Sequence, residues 1–511
     1  RKELAAAEAP ATAEGAEQKQ LIDVAVRQAG DAAVVELNGR EALRAEGLGL
    51  HPGTVGFRTE AGQSVVFRNL RVVDGDGRHL YLNNFYDPSC LQFTAGEIWG
   101  PAGLKLTENT TAVCKDPVSA NSPLFRRDFH VPDGLVKATL RIYAAGWYEL
   151  TVNGRRLDNR VLAPANTPYG RRMLFDEYDA TPALQPGGNA IGVWLGNGYG
   201  LNYNRYGWKW VREKAVTLEL DMEFADGSVR HVVTDESWLT ADSPLLANDI
   251  YDGEIYDARK EIPGWDVCGF DASGWTPAAA VTPPEAGLAK SGQPPITPHA
   301  PLQPVRVLHP REGVAVYDFG QNIAGWVRVK AEGAAGGKIT LKYSELIDEH
   351  GNIDPWMSRR AKATDVYIAA GRGVETYEPR FTYHGFQFVE ASGDLHIVSI
   401  EAVPIHADVK EAGRFRCSDP LIGQIQSNLR WSILNNLVSI PTDCCQRDER
   451  TPCLMDSATV EEAAIHNFDM HRYYRKWLGD IEDNMGRPDW GGDKVTLMWR
   501  LYWYYGDEDV L

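Results

Sequence analysis

The hydrophobic pattern of the chain changes its period near residue 411, and this change constrains the fold more than any other feature. In residues 138–157, apolar and polar side chains alternate and the run meets an Asn153-Gly154 turn signal, which is typical of a β-hairpin with one buried face. From residues 422–433 onward, apolar side chains recur at helical spacing instead. The sequence therefore predicts a β region from about residue 21 to 410 and α-helices only after it.

The 511 residues are too many for one hydrophobic core, because domains usually hold about 100 to 200 residues. Turn signals divide the β region into three predicted antiparallel sandwiches over residues 21–118, 119–290 and 291–410, after an Ala/Glu-rich leader or linker over residues 1–20. The Pro-rich stretch that begins near residue 290 is the predicted linker. Ser418-Asp419-Pro420 is the predicted start of the first helix.

Charge and composition exclude several function classes. The formal net charge is −18, so a polyphosphate partner would be repelled and nucleic-acid binding is not expected. No apolar run approaches the roughly 20 residues that span a bilayer, so no membrane partner is expected. The 15 Trp and 21 Tyr suit either sugar-stacking platforms or β-sandwich cores, and composition alone leaves both open.

The start of the chain and its cysteines say little about the compartment. The first residues, RKELAAAEAPATAEGAEQKQ, contain neither an initiator Met nor an apolar signal core, which is typical of a fragment or a processed product. The seven cysteines are irregularly spaced and do not form a disulfide framework. The compartment stays open, with a periplasmic or secreted location preferred over a cytoplasmic one.

The stretch PTDCCQRDERTPCLMD, residues 441–456 and here called the acidic loop, gathers acidic residues, arginines and cysteines between two predicted helices. It could be a solvated loop, a metal site, a redox site or an acid/base site. The adjacent Cys444 and Cys445 fit neither a CxxC redox motif nor the usual spacing of zinc ligands. Apolar neighbours, together with Arg447 and Arg450, favour a packed polar network over a solvated loop.

A cluster of carboxylates around an arginine suits the cleavage of glycosides. That reaction needs a carboxylic acid that stays protonated near neutral pH and can protonate the leaving oxygen. A neighbouring carboxylate favours the protonated form, because two close negative charges are costly. Further carboxylates can accept hydrogen bonds from sugar hydroxyls.

Over roughly residues 120–511, the sequence resembles the bacterial α-L-rhamnosidases of glycoside hydrolase family 78. The similarity is carried by GWYELTVNGRRLDNRVLAPANTPYGRRMLFDEYDAT and NAIGVWLGNGYG, by VAVYDFGQNIAGWVRVKAEG and LKYSELIDEHGNID, and by SIPTDCCQRDER. It implies an accessory jelly-roll sandwich, a concanavalin-like sandwich, and then the first helices of an (α/α)6 toroid in residues 411–511. Residues 21–118 lie outside the resemblance and look like another concanavalin-like sandwich, with either a carbohydrate-binding or a structural role.

The resemblance also implies roles for individual residues. Glu449 would be the general acid of an inverting mechanism that needs no metal or cofactor and releases terminal α-L-rhamnose. The side chains implied to bind the sugar are Asp443, Arg447, Asp456, Trp490 and Asp493. An alternative for Asp493 is that it caps the helix that follows. The carboxylate that activates water is expected beyond Leu511, so the 511-residue chain is expected to be incomplete and inactive alone.

One departure from the family pattern leaves the substrate open. Pro452-Cys453 stands where the family commonly has a Gly-Trp pair that would line the sugar pocket. A first alternative is therefore a polysaccharide lyase that cleaves rhamnosyl-glucuronate linkages on the same scaffold, with positive charge from Arg447, Arg450 and Lys494. A second alternative is a non-catalytic carbohydrate-binding protein.

Overall fold

The computed structural model describes residues 23–29, 32–45, 56–68, 70–83, 93–98, 103–114, 120–199, 214–282, 286–481 and 492–511. Trp490, one of the residues predicted to bind sugar, lies outside these ranges. None of the described helices is long and apolar enough to cross a membrane.

Every regular element described between residues 23 and 114 is a β-strand, as the alternating pattern predicts. The strands are β1 (Val24–Ala29), β2 (Ala32–Leu37), β3 (Arg40–Ala45), β4 (Gly56–Arg58), β5 (Val65–Phe67), β6 (Leu70–Val73), β7 (His79–Asn83), β8 (Glu97–Ile98), β9 (Leu104–Leu106) and β10 (Thr111–Val113). They form two three-stranded sheets, β1-β2-β3 and β5-β9-β8, and the pairs β4-β10 and β6-β7. Tyr81, Phe93, Leu104 and Leu106 are buried together in a small core.

Strands also make up the regular structure of the described residues between 123 and 407, apart from short 3-10 turns. They are β11 (Pro123–Val131), β12 (Leu135–Ala145), β13 (Trp147–Val152), β14 (Arg155–Arg156), β15 (Met173–Asp179), β16 (Gly187–Gly196), β17 (Ala215–Phe224), β18 (Val229–Val233), β19 (Leu239–Asp242), β20 (Leu245–Asp249), β21 (Gly253–Asp257), β22 (Thr276–Pro277), β23 (Leu288–Lys290), β24 (Ile296–Pro298), β25 (Arg306–Arg311), β26 (Val314–Glu332), β27 (Lys338–Ser344), β28 (Leu346–Ile347), β29 (Ile353–Asp354), β30 (Thr364–Ile368), β31 (Val374–Tyr377), β32 (His384–Gly393) and β33 (His396–Ala407).

Two of the sheets share one core, and together they are called the first β unit. Their strand orders are β14-β13-β16-β11-β19-β22 and β18-β17-β12-β15-β23. Tyr148, Leu150 and Val152 are buried in this core, so the predicted alternation is confirmed. The turn that follows has φ 51° at Asn153 and φ 76° at Gly154, the left-handed conformations that an Asn-Gly hairpin turn requires.

A ten-stranded sheet, called the second β unit, has the long strand β26 at its centre. Its order is β20-β21-β30-β27-β32-β26-β33-β24, and β25 and β31 also pair with β26. Because β26 is 19 residues long, it can pair with several strands along its two edges. Trp326, Val327, Leu341 and Phe386 are fully buried in the core of this unit.

The two β units are interleaved along the chain, so the predicted boundary at residue 290 does not separate the sheets. The hairpin β20-β21 was expected within the 119–290 sandwich, yet it belongs to the ten-stranded sheet. The chain then returns to the first β unit for β22 and β23 before it enters the second unit again at β24. Pairing across such distances leaves no local signal in the sequence.

The expectation of purely antiparallel pairing is also wrong at two places. Strand β15 pairs parallel with β23, and β21 pairs parallel with β30. In both pairs the strands are far apart in sequence, so no tight turn fixes their relative direction. The remaining pairs within the two units are antiparallel, and the predicted β architecture holds in outline.

Helices replace strands after residue 411, as the change of period predicts. Among the described residues, the helices are α1 (Pro420–Asn435), α2 (Leu454–Asn467), α3 (His471–Asp480) and α4 (Asp493–Tyr505). The predicted start of α1 is confirmed, because the Asp419 carboxylate accepts a hydrogen bond from Leu421 N at 2.8 Å. One exception to helices only is a short ladder of β34 (Leu437–Val438) and β35 (Ile440–Pro441).

The helical part is attached to both β units by buried polar contacts. The Asn435 side chain accepts from Ala324 N at 3.0 Å and donates to Asn322 O at 3.0 Å in the second β unit. The Lys476 ammonium donates to the carbonyl oxygens of Asn166 and Ser439. The helices therefore hold a fixed position against the sheets.

Substitution of Lys476 tests this attachment. Its side chain and that of Asp480 are 3% and 0% exposed, and their charged atoms lie 2.6 Å apart. Replacing Lys476 by Met would leave the Asp480 carboxylate with less compensation and would remove one donor each from the carbonyls of Asn166 and Ser439. Because breaking a buried pair is strongly destabilising, we expect Lys476→Met to lower the free energy of unfolding by about 3–5 kcal/mol.

Chemical denaturation followed by tryptophan fluorescence measures this loss. The matched control is Lys137→Met, since Lys137 and its partner Glu223 are 61% and 53% exposed. This surface pair contributes about 0–1 kcal/mol. If Lys476→Met and Lys137→Met unfold at the same denaturant concentration, the buried contacts of Lys476 do not stabilise the protein as we expect.

Candidate active site

The acidic loop joins β35 to α2, and a buried arginine fixes its base. Arg450 is 0% exposed and has a left-handed φ of 53°. Its Nη1 donates to the carbonyls of Ile250 and Tyr383 at 2.6 Å each, and Nη2 donates to Gln446 O at 3.1 Å. These bonds tie the loop to the second β unit.

Four charged side chains form a continuous row at this loop, here called the charge row. Arg447 Nη2 lies 2.9 Å from Asp443 Oδ2, and Arg447 Nε lies 2.9 Å from Glu449 Oε2. Arg359 Nη1 lies 2.9 Å from the same Glu449 Oε2. The order is therefore Asp443, Arg447, Glu449, Arg359, with charges that alternate in sign.

Exposure differs along the charge row. The side chain of Asp443 is 2% exposed and that of Arg447 is 27% exposed. Glu449 and Arg359 are 21% and 53% exposed. One end of the row is thus inside the protein and the other end reaches solvent, which is a suitable arrangement for a group that meets a ligand.

Burial raises the pKa of Asp443, and the charge of Glu449 acts in the same direction. The hydrogen bond from Thr451 N to Asp443 Oδ1, 3.1 Å long, opposes this rise. For Arg447, burial acts against the charged form, but the acidic groups around the guanidinium raise its pKa overall. Arg447 therefore stays charged and links the two carboxylates.

The main chain of Glu449 is held from the second β unit. The hydroxyl of Tyr251 donates to Glu449 O at 2.7 Å. Tyr251 lies between β20 and β21, in the hairpin that crosses over to the ten-stranded sheet. The position of Glu449 thus depends on a strand pair remote from it in sequence.

Asp456 is exposed in the first turn of α2. Burial, a hydrogen bond with Asp456, and the charges of Asp443 and Glu449 all raise the pKa of the neighbouring Cys453 thiol. Contacts in the structure join Asp443, Arg447 and Glu449, whereas binding of the sugar by Asp456 stays a prediction.

Asp493 belongs to a second cluster between α2 and α4. It is 3% exposed and accepts a hydrogen bond from Ser457 Oγ at 2.7 Å. Its carboxyl also pairs with that of Glu461, which Arg500 contacts. The capping interpretation is wrong, because the N-cap of α4 is Gly492 and no side chain caps it. Binding of sugar hydroxyls by Asp493 stays a prediction.

A metal ion would meet a positive charge at this site. Donor atoms of Asp443, Cys444 and Glu449 lie within 4.8 Å of one another. Arg447, however, contacts both carboxylates and already supplies the cation that the oxygens need. Burial also raises the pKa of the Cys444 thiol, which opposes the thiolate form that binds metals.

Three models of protein-family domains match consecutive parts of the chain. They are the alpha-L-rhamnosidase N-terminal domain over residues 134–300, the bacterial alpha-L-rhamnosidase concanavalin-like domain over residues 308–406, and the bacterial alpha-L-rhamnosidase 6 hairpin glycosidase domain over residues 410–511. The chain belongs to the bacterial α-L-rhamnosidase family. The acidic loop lies in the third of these matches.

Curated relatives agree with this assignment. An alpha-L-rhamnosidase of Streptomyces avermitilis is 33% identical over 422 residues, which are 77% of this chain and 41% of that protein. One of Formosa agariphila is 30% identical over 459 residues, 80% of this chain and 48% of that protein. The chain thus spans less than half the length of these two relatives.

Solved rhamnosidase structures share the fold. The match to the alpha-L-rhamnosidase of Dictyoglumus thermophilum has a TM-score of 0.74 at 34% sequence identity. It covers 93% of this chain and 56% of that chain. The match to the Streptomyces avermitilis alpha-L-rhamnosidase, whose crystal structure is a complex with L-rhamnose, also has a TM-score of 0.74, at 28% sequence identity. It covers 94% of this chain and 46% of that chain.

Two residues that contact Glu449 were not predicted from sequence. Arg359 and Tyr251 contact Glu449 from 90 and 198 positions away. Neither stands in a motif or a periodic pattern, and the only local signal is an Arg-Arg pair in the stretch PWMSRR. An arginine pair of that kind usually marks a solvated surface.

The second cluster gives a pH-dependent test of the helical part. Burial and the charge of Asp493 raise the pKa of Glu461 to about 8, whereas Arg500 acts in the opposite direction. A carboxyl whose pKa is raised by folding stabilises the protein fully below its unfolded value of 4.5 and loses that contribution as pH rises through about 8. We expect Glu461→Gln to flatten the fall in thermal midpoint between about pH 4.5 and 8.

The control for this measurement is Glu462→Gln. Glu462 is the next residue on α2, but its side chain is 57% exposed. Thermal midpoints of the wild type and both variants across the pH range separate the buried carboxyl from the exposed one. If the thermal midpoint of Glu461→Gln falls with pH as steeply as that of the wild type, the Glu461 carboxyl does not cause the loss of stability.

Proposed function

We propose that the protein acts as an α-L-rhamnosidase, in which Glu449 protonates the leaving oxygen as terminal α-L-rhamnose is released with inversion. The supporting observation is the charge row, which brings Asp443, Arg447 and Glu449 together at a loop in the part matched by a glycosidase domain. The names of the relatives support rhamnose as the sugar.

Each side chain then has a separate task. Asp443 and Arg447 offer acceptors and donors to the sugar hydroxyls, and Asp456 offers a further carboxylate at the exposed end of α2. Both guanidinium groups contact Oε2 of Glu449. Inversion needs a second carboxylate that activates water from the opposite face, roughly 6.5–9.5 Å from the first.

We also propose that α1 to α4 are the first helices of an (α/α)6 toroid. The match to a six-hairpin domain supports this, and so does the surface of α4. Val495, Trp499 and Trp503 are 70%, 53% and 67% exposed, whereas Leu497 and Leu501 on the other face are 0% exposed. Large exposed apolar patches mark surfaces that other parts of a protein cover.

The domain organisation proposed upstream follows the matches and the sheets. The first β unit is an accessory jelly-roll sandwich, and the second is a concanavalin-like sandwich. We keep the expectation that residues 21–118 form another concanavalin-like sandwich, whose described strands and small core are consistent with it.

The lyase alternative loses one of its supports. Arg450 was expected to offer positive charge to a uronate, but it is 0% exposed and its guanidinium bonds go to backbone carbonyls. It therefore cannot reach a substrate without taking the loop apart.

Substitution of the proposed acid tests the function. We expect Glu449→Gln, in the longest natural form of the protein, to bind L-rhamnose as the wild type does but to lower kcat on a natural rhamnoside by about 10²–10⁴-fold. An activated aryl rhamnoside needs less protonation of its leaving group, so its kcat should fall less. Isothermal titration with L-rhamnose and steady-state kinetics on both substrates measure these effects.

Glu462→Gln is the control, because it removes an exposed carboxylate elsewhere on α2. Near-wild-type hydrolysis of the natural rhamnoside by Glu449→Gln would remove Glu449 from the acid role. Binding of L-rhamnose by the wild type without any turnover would favour a carbohydrate-binding protein instead.

The products distinguish hydrolase from lyase and report the stereochemistry. We expect proton NMR to detect β-L-rhamnose as the first product from an α-rhamnoside, before it equilibrates in solution. Release of α-L-rhamnose first would refute inversion. A product with a carbon–carbon double bond, absorbing in the near ultraviolet, would establish the lyase.

A further inference from the structure

We propose that Arg359, supplied by the second β unit, is a positioning residue that holds the carboxyl of Glu449 and sets the pH range over which this group is protonated. The inference rests on the proposed function for its catalytic meaning, since Glu449 is the proposed acid. Its geometric basis is the contact of 2.9 Å between Arg359 Nη1 and Glu449 Oε2.

The backbone around Arg359 places its side chain at the site. Arg359 follows a short 3-10 turn, Pro355–Ser358, and has a φ of 54°, which residues other than glycine rarely adopt. Its N–H bonds to Trp356 O at 3.2 Å, and Ala361 N bonds to Ser358 O at 3.0 Å. Backbone hydrogen bonds on both sides of Arg359 fix the direction of its Cα–Cβ bond.

One tyrosine connects this segment to the acid. Ala363 N donates to Tyr251 O at 3.0 Å, and the Tyr251 hydroxyl donates to Glu449 O at 2.7 Å. The segment that carries Arg359 and the main chain of Glu449 are therefore fixed to the same residue. Their separation is set by the fold of the second β unit before any ligand arrives.

The order of the charge row gives Arg359 a different place from Arg447. Glu449 lies between the two guanidinium groups, and Arg447 also contacts Asp443. If Asp443 and Arg447 hold the sugar, Arg359 contacts the acid from a segment outside the acidic loop. A substitution of Arg359 should then spare rhamnose binding and change proton donation.

The charge of Arg359 has two opposing effects on the reaction. When Glu449 gives its proton to the glycosidic oxygen, the bond from that oxygen to the sugar carbon breaks and the carboxylate becomes negative. A guanidinium at hydrogen-bond distance stabilises that carboxylate, which helps proton donation. The same interaction makes the protonated form harder to populate as pH rises.

Other titratable groups also lie near Glu449 among the described residues. They are Asp443, Cys444, Arg447 and Cys453 of the acidic loop. Arg359 is the contributor from the β unit. Removing it changes one charge while the charges of the acidic loop and α2 stay in place, which makes its effect separable.

The first experiment compares Arg359→Met, Arg359→Lys and Lys362→Met in the longest form of the protein. Lys362 is the matched control, because it lies three positions away, is 49% exposed against 53% for Arg359, and pairs with Asp252 instead of Glu449. Kinetics on a natural rhamnoside across pH give kcat and KM for each variant.

For Arg359→Met we expect kcat to fall about tenfold, less than the loss expected for the acid itself. The alkaline limb of kcat/KM should move to higher pH, and KM should stay near the wild-type value. Arg359→Lys keeps the charge and should restore the position of the limb. A profile for Arg359→Met that coincides with that of Lys362→Met would overturn the proposal.

A second measurement does not depend on turnover. A carbodiimide couples to protonated carboxyl groups, and mass spectrometry of the peptide with residues 441–456 reports labelling of Glu449. In Arg359→Met this labelling should persist to higher pH than in the wild type and in Lys362→Met. An unchanged labelling profile would refute the role of Arg359, whereas absent rhamnosidase turnover with a shifted profile would refute only the proposed function.

Discussion

The site depends on a single buried cation, the guanidinium of Arg450. A charge inside a protein is costly unless polar partners replace the water that it loses. Here carbonyl oxygens of Ile250, Tyr383 and Gln446 supply those partners, and the rings of Tyr251 and Tyr383 lie 5.3 and 4.7 Å from the guanidinium carbon. The bonds of Arg450 link the left-handed turn of the acidic loop to the sheet.

With its base fixed in this way, the loop can keep several charges close together without collapsing or opening. Asp443 is inside and receives a backbone N–H, while Arg447 lies between two carboxylates. The half-exposed arginine from the β unit then completes the alternation of charges. A site of this kind places its reactive carboxyl by electrostatics as much as by packing, so it is preorganised before ligand binding.

The sequence predicts the parts of this structure that depend on neighbours in the chain. Alternation around Tyr148 predicts a buried strand face, Asn153-Gly154 predicts its turn, and Asp419 predicts the start of α1; all three are confirmed. Crowding of polar groups in one short stretch, together with a family resemblance, is enough to single out the acidic loop.

What depends on distant pairing is not predicted. The parallel pairs, the crossing of β20-β21 into the second unit, and the contacts of Arg359 and Tyr251 with Glu449 all join segments far apart in sequence. The alternative that Asp493 caps α4 is wrong for a related reason, because its partners Ser457 and Glu461 come from another helix. The role of a side chain between two packed helices cannot be predicted until the packing of those helices is known.

The interleaving of the two β units has a consequence for how the protein can be taken apart. The chain enters the ten-stranded sheet at β20, leaves it after β21 to add β22 and β23 to the first unit, and returns at β24. If the chain is divided at any one of these crossings, one of the two β units loses strands to the other fragment. The two units therefore cannot be expressed or exchanged as separate modules, and a gene fusion that preserves either one has to carry both.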